Sequence, residues 1–185
     1  MARWEPDARG RLQQAAMQLF RERGYADVTV AEIADRAGLT KRTFFNHFAD
    51  KREVFFDNGP AFGQNVLKYL AEADPGLGAI DAAMLALTRA GLDLAPYYEF
   101  GKARLEILAA TPELRERDLI KTAGLATVLA EALERREVSS REAVFAAQAA
   151  LSVFSAAAAE WISHPEADFP DLMRQTLAEL RSAVL

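Results

Sequence analysis

The stretch VAEIADRAGLTKRTFFNHF, residues 30–48, most constrains what this chain can fold into. Val30, Ile33, Ala34 and Ala37 recur at the three- and four-residue spacing of one helix face. Gly38 supplies the positive φ that stops a right-handed helix, Leu39 fills the turn, and Thr40 offers a side-chain oxygen to cap a second helix. Ala34 is small where two such helices must cross. The spacing predicts a helix-turn-helix. In the second helix Phe44 and Phe48, four residues apart, share the inward side. Lys41, Arg42, Phe45 and Asn46 then face outward. Cations on such a face neutralise phosphates or read guanine, amides read adenine, and a ring meets a thymine methyl. Phe45 has a plainer alternative, packing against a neighbouring helix.

The flanking residues extend the helical pattern in both directions. Leu12, Ala15, Ala16, Leu19 and Phe20 line one face of a preceding helix, which Gly24 ends and on which Tyr25 packs back. Thr29 to Glu32 is a capping box, and Asp50 to Glu53 is a second one opening a helix with Val54 and Phe55. Asn58-Gly59-Pro60 interrupts that fourth helix, because an interior proline costs about 3 kcal/mol. The interruption predicts a kink or break acting as a joint between two modules. Helices follow over 61–73, 77–94, 97–110, 113–137, 140–163 and 169–183. Asp74-Pro75-Gly76, Ala95-Pro96, Thr111-Pro112, Val138-Ser139 and His164-Pro165 punctuate them. No alternating strand pattern competes, so the fold class is all-α.

Charge separates the two modules. Met1 to Phe56 holds 10 Lys/Arg against 8 Asp/Glu; the remainder holds 12 against 19. Local charge matters more than the net −5, since screening removes distant charges beyond about 8 Å. The chain has no cysteine, which excludes disulfides and thiolate chemistry. Its two histidines, His47 and His164, stand far apart and form no metal-ligand spacing with carboxylates. His47 reads as a phosphate contact or a cap for the next helix, and His164 as a helix terminus. No serine elbow or phosphate-binding glycine loop is present. No catalytic residue, metal site or cofactor is expected. No signal peptide is legible, and no uninterrupted apolar run reaches the roughly 18 residues of a membrane span. A soluble cytoplasmic protein without a membrane partner is the expectation.

The segment LFRERGYADVTVAEIADRAGLTKRTFFNHFADKREVF resembles the N-terminal domain of TetR-family transcriptional regulators, over residues 9 to 56. The resemblance implies a three-helix helix-turn-helix domain over 1–56, with the third helix in the major groove. Residues 57–185 would then form a larger helical effector-binding and dimerisation domain. It implies a ligand-responsive repressor released from a palindromic DNA operator. It also puts Thr29, Thr40, Lys41, Arg42, Thr43, Phe45, His47 and Lys51 at positions that face DNA; Asn46 joins them from the outward reading. The family usually has tyrosine where this chain has Phe45, so one phosphate hydrogen bond is missing.

The second module is rich in large side chains. Phe62, Val66, Tyr69, Met84, Leu87, Tyr97, Tyr98, Phe100, Phe145 and Phe154 belong mostly to a core. Of these, Phe62, Val66, Met84, Tyr98 and Phe154, with Arg104 as an anionic anchor or a structural cation, are the candidates for a ligand cavity between helices. The run ELRERDLIKTAGLATVLAEAL and the alanine-rich helix after it resemble effector domains of family members that bind acyl-CoA-like ligands. A small apolar effector, fatty acyl or acyl-CoA, is implied. Phe169, Leu172, Met173, Thr176, Leu177, Leu180 and Val184 make one stripe on the last helix. Val144, Ala147, Leu151, Phe154, Ala158 and Ile162 make another on the helix before it. Together these predict a homodimer through the last two helices.

Overall fold

The computed structural model describes residues 7–56 and 59–184, and among them every regular element is helical. They are α1 (Ala8–Arg23), α2 (Val30–Arg36), α3 (Lys41–His47), α4 (Lys51–Phe55), α5 (Gly59–Ala71), α6 (Ala79–Leu92), α7 (Tyr98–Ala110), α8 (Pro112–Glu134), α9 (Ser140–Ser163) and α10 (Phe169–Val184), with a 3-10 turn over Ala95–Tyr97. The chain divides into two compact units. The first contains residues 1–59 and 103–115; the second contains 60–102 and 116–185.

In the first unit α1 is the central support. It buries Leu12, Ala15, Ala16, Met17, Leu19 and Phe20, and it packs on α2, α3 and α4. Tyr25 returns onto α1, its ring 5.1 Å from that of Phe20. Each short helix has a side-chain cap, as helices too short to be stable alone require. Thr29 and Glu32 form a complete capping box, Thr40 caps α3, and Asp50 accepts from the amides of Arg52 and Glu53. Ala103, Ile107, Leu108 and Leu114 bring buried surface from the end of α7 and the start of α8 to this unit.

Prolines begin helices here rather than kink them. Helix α4 stops at Phe55 and α5 starts at Gly59, with Pro60 in its first turn. First-turn amides have no intrahelical acceptor, so the missing N–H removes no bond. Of the expected kink or break, the break is found, with Pro60 in the first turn of the new helix; Asp57 and Asn58 lie outside the described residues. Pro112 opens α8 in the same way.

In the second unit α6, α9 and α10 pack together. Alanine allows close approach: Ala79, Ala82, Ala83, Ala86 and Ala90 of α6 and Ala143, Ala146, Ala147, Ala150 and Ala157 of α9 are all buried. Gly91 marks the tightest point, where a Cβ would stand 2.4 Å from Cε1 of Phe169. Phe62, Phe154, Phe169 and Trp161 follow one another as ring contacts at 5.1, 6.0 and 4.7 Å. Helix α9 is long and apolar enough to cross a membrane by length and composition, but Ala143, Ala147, Ala150, Leu151 and Ala157 are buried in the core that it forms with α6 and α10. Arg136, just past α8, donates to the carbonyls of Leu70, Ala73 and Asp74 and closes the end of α5.

Candidate nucleic-acid interface

Helix α3 is built to be held from one side and open on the other. Phe44 is fully buried and Phe48, its C-cap, is 3% exposed, with their rings 5.4 Å apart. Thr40 Oγ1 accepts from the amide of Thr43 at 3.1 Å, and the two hydroxyls lie 2.9 Å apart. Thr40, Lys41, Arg42, Asn46 and His47 are exposed, and Thr43 is half-buried. Phe45 is 49% exposed. Its ring touches its own helix: the edge of Phe44 at 5.5 Å and the Lys41 ammonium at 5.9 Å. About half of the ring's surface is thus left open.

The turn before α3 is fixed by backbone and by one cation. Gly38 adopts φ +67, and Leu39 N–H donates to Ala34 O at 2.8 Å. Arg11, from α1, donates to Ala37 O. Sequence reasoning missed Arg11, because its acceptor is a carbonyl 26 positions away.

Thr29 is exposed at the start of α2, but its hydroxyl already serves the cap. It accepts from Glu32 N–H at 3.3 Å and donates to Glu32 Oε2 at 2.7 Å. Arg23 reaches Glu32 Oε1 at 2.7 Å. These bonds, those from Thr29 foremost, hold the Glu32 carboxyl down at about 2.

Lys51 is partly exposed at the start of α4. Its Nζ donates to Tyr25 O at 2.7 Å and to Val28 O at 2.8 Å, and lies 4.0 Å from the Tyr25 ring centre. Two carbonyls and a ring already surround the half-buried ammonium.

Four of the six effector candidates share one core. Phe62, Val66, Met84 and Phe154 contribute to the core of the second unit, with Val66 and Met84 buried. Tyr98 donates its hydroxyl to Ile162 O at 2.6 Å. Arg104 belongs to the first unit, its guanidinium 5.5 and 5.6 Å from the rings of Phe55 and Phe56. An open surface groove of about 540 Å³ in the second unit is lined by residues including Ile80, Arg141, Phe145 and Ala149, and by none of the six. Tyr97 and Phe145, read as interior, are each about 60% exposed (61% and 60%). The dimer stripes are also largely internal. Ala147, Leu151, Phe169 and Met173 are buried, and Leu172, Leu177 and Leu180 pack on the same core. His164 does close α9, its amide donating to Glu160 O.

A capped helix-turn-helix showing cations and an aromatic ring, in one chain with a second helical unit, defines a DNA-binding regulator. Comparison with known proteins gives the family. Residues 12–57 match the model for bacterial regulatory proteins of the tetR family, and residues 74–185 match the MftR C-terminal domain. The chain belongs to the TetR family of transcriptional regulators. It is similar to MftR of Mycobacterium tuberculosis, by name a mycofactocin biosynthesis transcriptional regulator, with 30% identity over 68% of this chain and 63% of MftR. The chain thus spans less than two thirds of that relative. It is also 27% identical to the transcriptional regulator TcmR of Streptomyces glaucescens, over 89% of this chain and 77% of TcmR. Among solved structures, SmeT with triclosan aligns at TM-score 0.65 and 20% identity, covering 93% of this chain and 90% of SmeT. Thermus thermophilus FadR with lauroyl-CoA aligns at 0.59 and 24%, covering 96% and 95%. These two likenesses establish the shared fold.

Proposed function

We propose that the chain is a dimeric repressor that places α3 in the major groove of each half of a palindromic operator and releases it when a small apolar or acyl-type ligand binds the second unit. The observation that carries the DNA reading is the outward face of α3, where Lys41, Arg42, Phe45 and Asn46 are exposed over a buried Phe44. Thr40, Thr43 and His47 extend the same surface toward phosphate. Thr29 and Lys51 contribute from the starts of α2 and α4. The two half-sites lie on one face of the duplex, about a helical turn or a multiple apart.

The ligand reading rests on the interior of the second unit, which is aliphatic and aromatic. FadR with lauroyl-CoA, whose acyl chain is apolar, and SmeT with triclosan, an apolar aromatic, are proteins of this fold. The ligand set here is Phe62, Val66, Met84, Tyr98 and Phe154; Arg104 drops out. For the dimer, Val144 and Phe145 leave apolar surface outward on α9, at 42% and 60% exposure. The regulator acts in the cytoplasm, where its operator is.

The test begins with selection of duplexes from a random library by the full chain. The expected product is a near-palindromic site bound by two chains. Lauroyl-CoA and free laurate are then titrated into the complex, with triclosan as the non-acyl arm. Selection of no duplex would remove the DNA reading. Release by triclosan alone would remove the acyl reading and keep the repressor.

A further inference from the structure

Arg9, in the first turn of α1, lies outside the helix-turn-helix, yet it stands beside the reading helix. Its guanidinium lies over the Phe48 ring, 5.0 Å from the ring centre. Phe48 is the C-cap of α3 and is 3% exposed, and its ring is 6.4 Å from that of His47. Phe48 is thus a shared neighbour of Arg9 and His47, and α1 packs on α3. Arg9 and His47 are both exposed. Stacking engages the face of a guanidinium; its five N–H donors lie in the plane of the group and reach past the ring. Covering Phe48 requires only an alkyl chain, so the charge serves another purpose. Asp7 caps α1 by accepting from the Gly10 N–H at 3.0 Å. It is therefore the Arg9 side chain, not the helix end, that is offered to an anion.

We propose that Arg9 is a further DNA contact, made from α1: stacked on Phe48, its guanidinium meets a backbone phosphate just past the His47 end of α3. This rests on the reading of α3 as the DNA-reading helix. A helix in the major groove is flanked by the sugar–phosphate backbones, so a cation beyond its end meets phosphate rather than base edges. The planar fork of a guanidinium matches two phosphate oxygens, and the ring beneath it holds the fork in place before DNA arrives. Such a contact fixes affinity and orientation and carries no sequence preference.

The test uses the full chain with a duplex it has selected. Arg9→Met keeps a side chain long enough to cover Phe48 and loses the charge. Titrations over a range of salt are expected to show roughly fivefold weaker binding near physiological salt and a slope smaller by about 0.9 for each bound chain. Every operator base pair should keep its preference. An unchanged slope overturns the proposal whether or not affinity falls, since it leaves Arg9 as a cover for Phe48. Relaxed preference at one base pair overturns it as well, by making Arg9 a base reader. If Arg9→Met fails to fold, wild type decides. Phenylglyoxal modification of Arg9, read by peptide mass spectrometry, is expected to slow when the duplex is added, as that of Arg42 does, while Arg89 of the second unit does not slow. An unslowed Arg9 overturns the proposal. Selection of no duplex by wild type removes the reading of α3 and the proposal together, whereas a selected duplex with an unchanged slope removes the proposal alone.

Discussion

Replacing Gly38 by alanine tests how the turn holds α3. Gly38 has φ +67, where an L-residue costs roughly 1–2 kcal/mol. A Cβ there would also stand 2.9 Å from Arg11 Nη2. That nitrogen ends a flexible side chain, so it moves aside, but it donates to Ala37 O and moving weakens the bond. A hydrogen bond from a charged group contributes about 1.5–3 kcal/mol, and half-exposure reduces it to about 1 here. Gly38→Ala should therefore destabilise the first unit by about 2–3 kcal/mol. The assay is urea unfolding in a double-mutant cycle with Arg11→Met. In the Arg11→Met background only the backbone cost remains, so Gly38→Ala should lose about 1 kcal/mol of its effect. Strictly additive changes would refute the link between Arg11 and the turn. A cost under about 0.5 kcal/mol would refute the strained φ as well. Duplex affinity, taken well below the melting temperature, should fall with Gly38→Ala because the direction of α3 follows the turn.

Lys41→Ala and Arg42→Ala should weaken duplex binding while shifting stability by no more than about 0.5 kcal/mol, as exposed surface changes do. A base reader costs about 1–3 kcal/mol and relaxes one operator position, whereas a phosphate contact lowers the salt slope by about 1; anisotropy titrations separate these. Phe45→Tyr should leave the melting temperature unchanged, because the ring is half exposed, and should tighten binding through a new phosphate hydrogen bond; a lower melting temperature would count against the open face. The Glu32 carboxyl, held at about 2, lies below its unfolded value near 4.3, so its support of the cap is present above that value and disappears as pH falls through about 2. Glu32→Gln should keep the cap and flatten this acid limb in a circular-dichroism titration. Phe145→Glu, on the outward side of α9, should shift the chain toward monomer in sedimentation velocity; an undisturbed dimer would place the interface elsewhere.

The parts legible in the sequence are those whose partners are close along the chain. Thr29 with Glu32, Thr40 with Thr43, and Phe44 with Phe48 are three or four residues apart, and all form as expected. Long-range roles left no such mark. Arg11, Lys51 and Arg136 donate to backbone carbonyls 23 to 66 residues away, and any residue type can supply a carbonyl. The return of residues 103–115 to the first unit was hidden for the same reason, and with it the stacking of Arg104 on Phe55 and Phe56. In the second unit, cavity linings and cores use the same side chains. Apolar spacing identified the helices, but it left open whether Leu151 or Phe145 turned inward.

The charge of the first unit shows how pairing changes what composition means. A net of +2 over 56 residues is a weak signal for nucleic acid. The described cations outside α3 are nevertheless almost all committed. Arg21, Arg23, Arg36 and Arg52 each face a carboxylate, on Glu106, Glu32, Glu22 and Asp50. Arg11 and Lys51 serve backbone carbonyls, and Arg9 lies over the Phe48 ring. Lys41 and Arg42 have no carboxylate partner among the described residues, and they are adjacent on α3, beside Phe45. Phosphate responds to charge within a screening length, so unpaired neighbours outweigh a larger number of neutralised ones. An acidic chain can therefore present a basic reading helix, because carboxylates face Arg21, Arg23, Arg36 and Arg52 and leave Lys41 and Arg42 side by side on the outward face of α3.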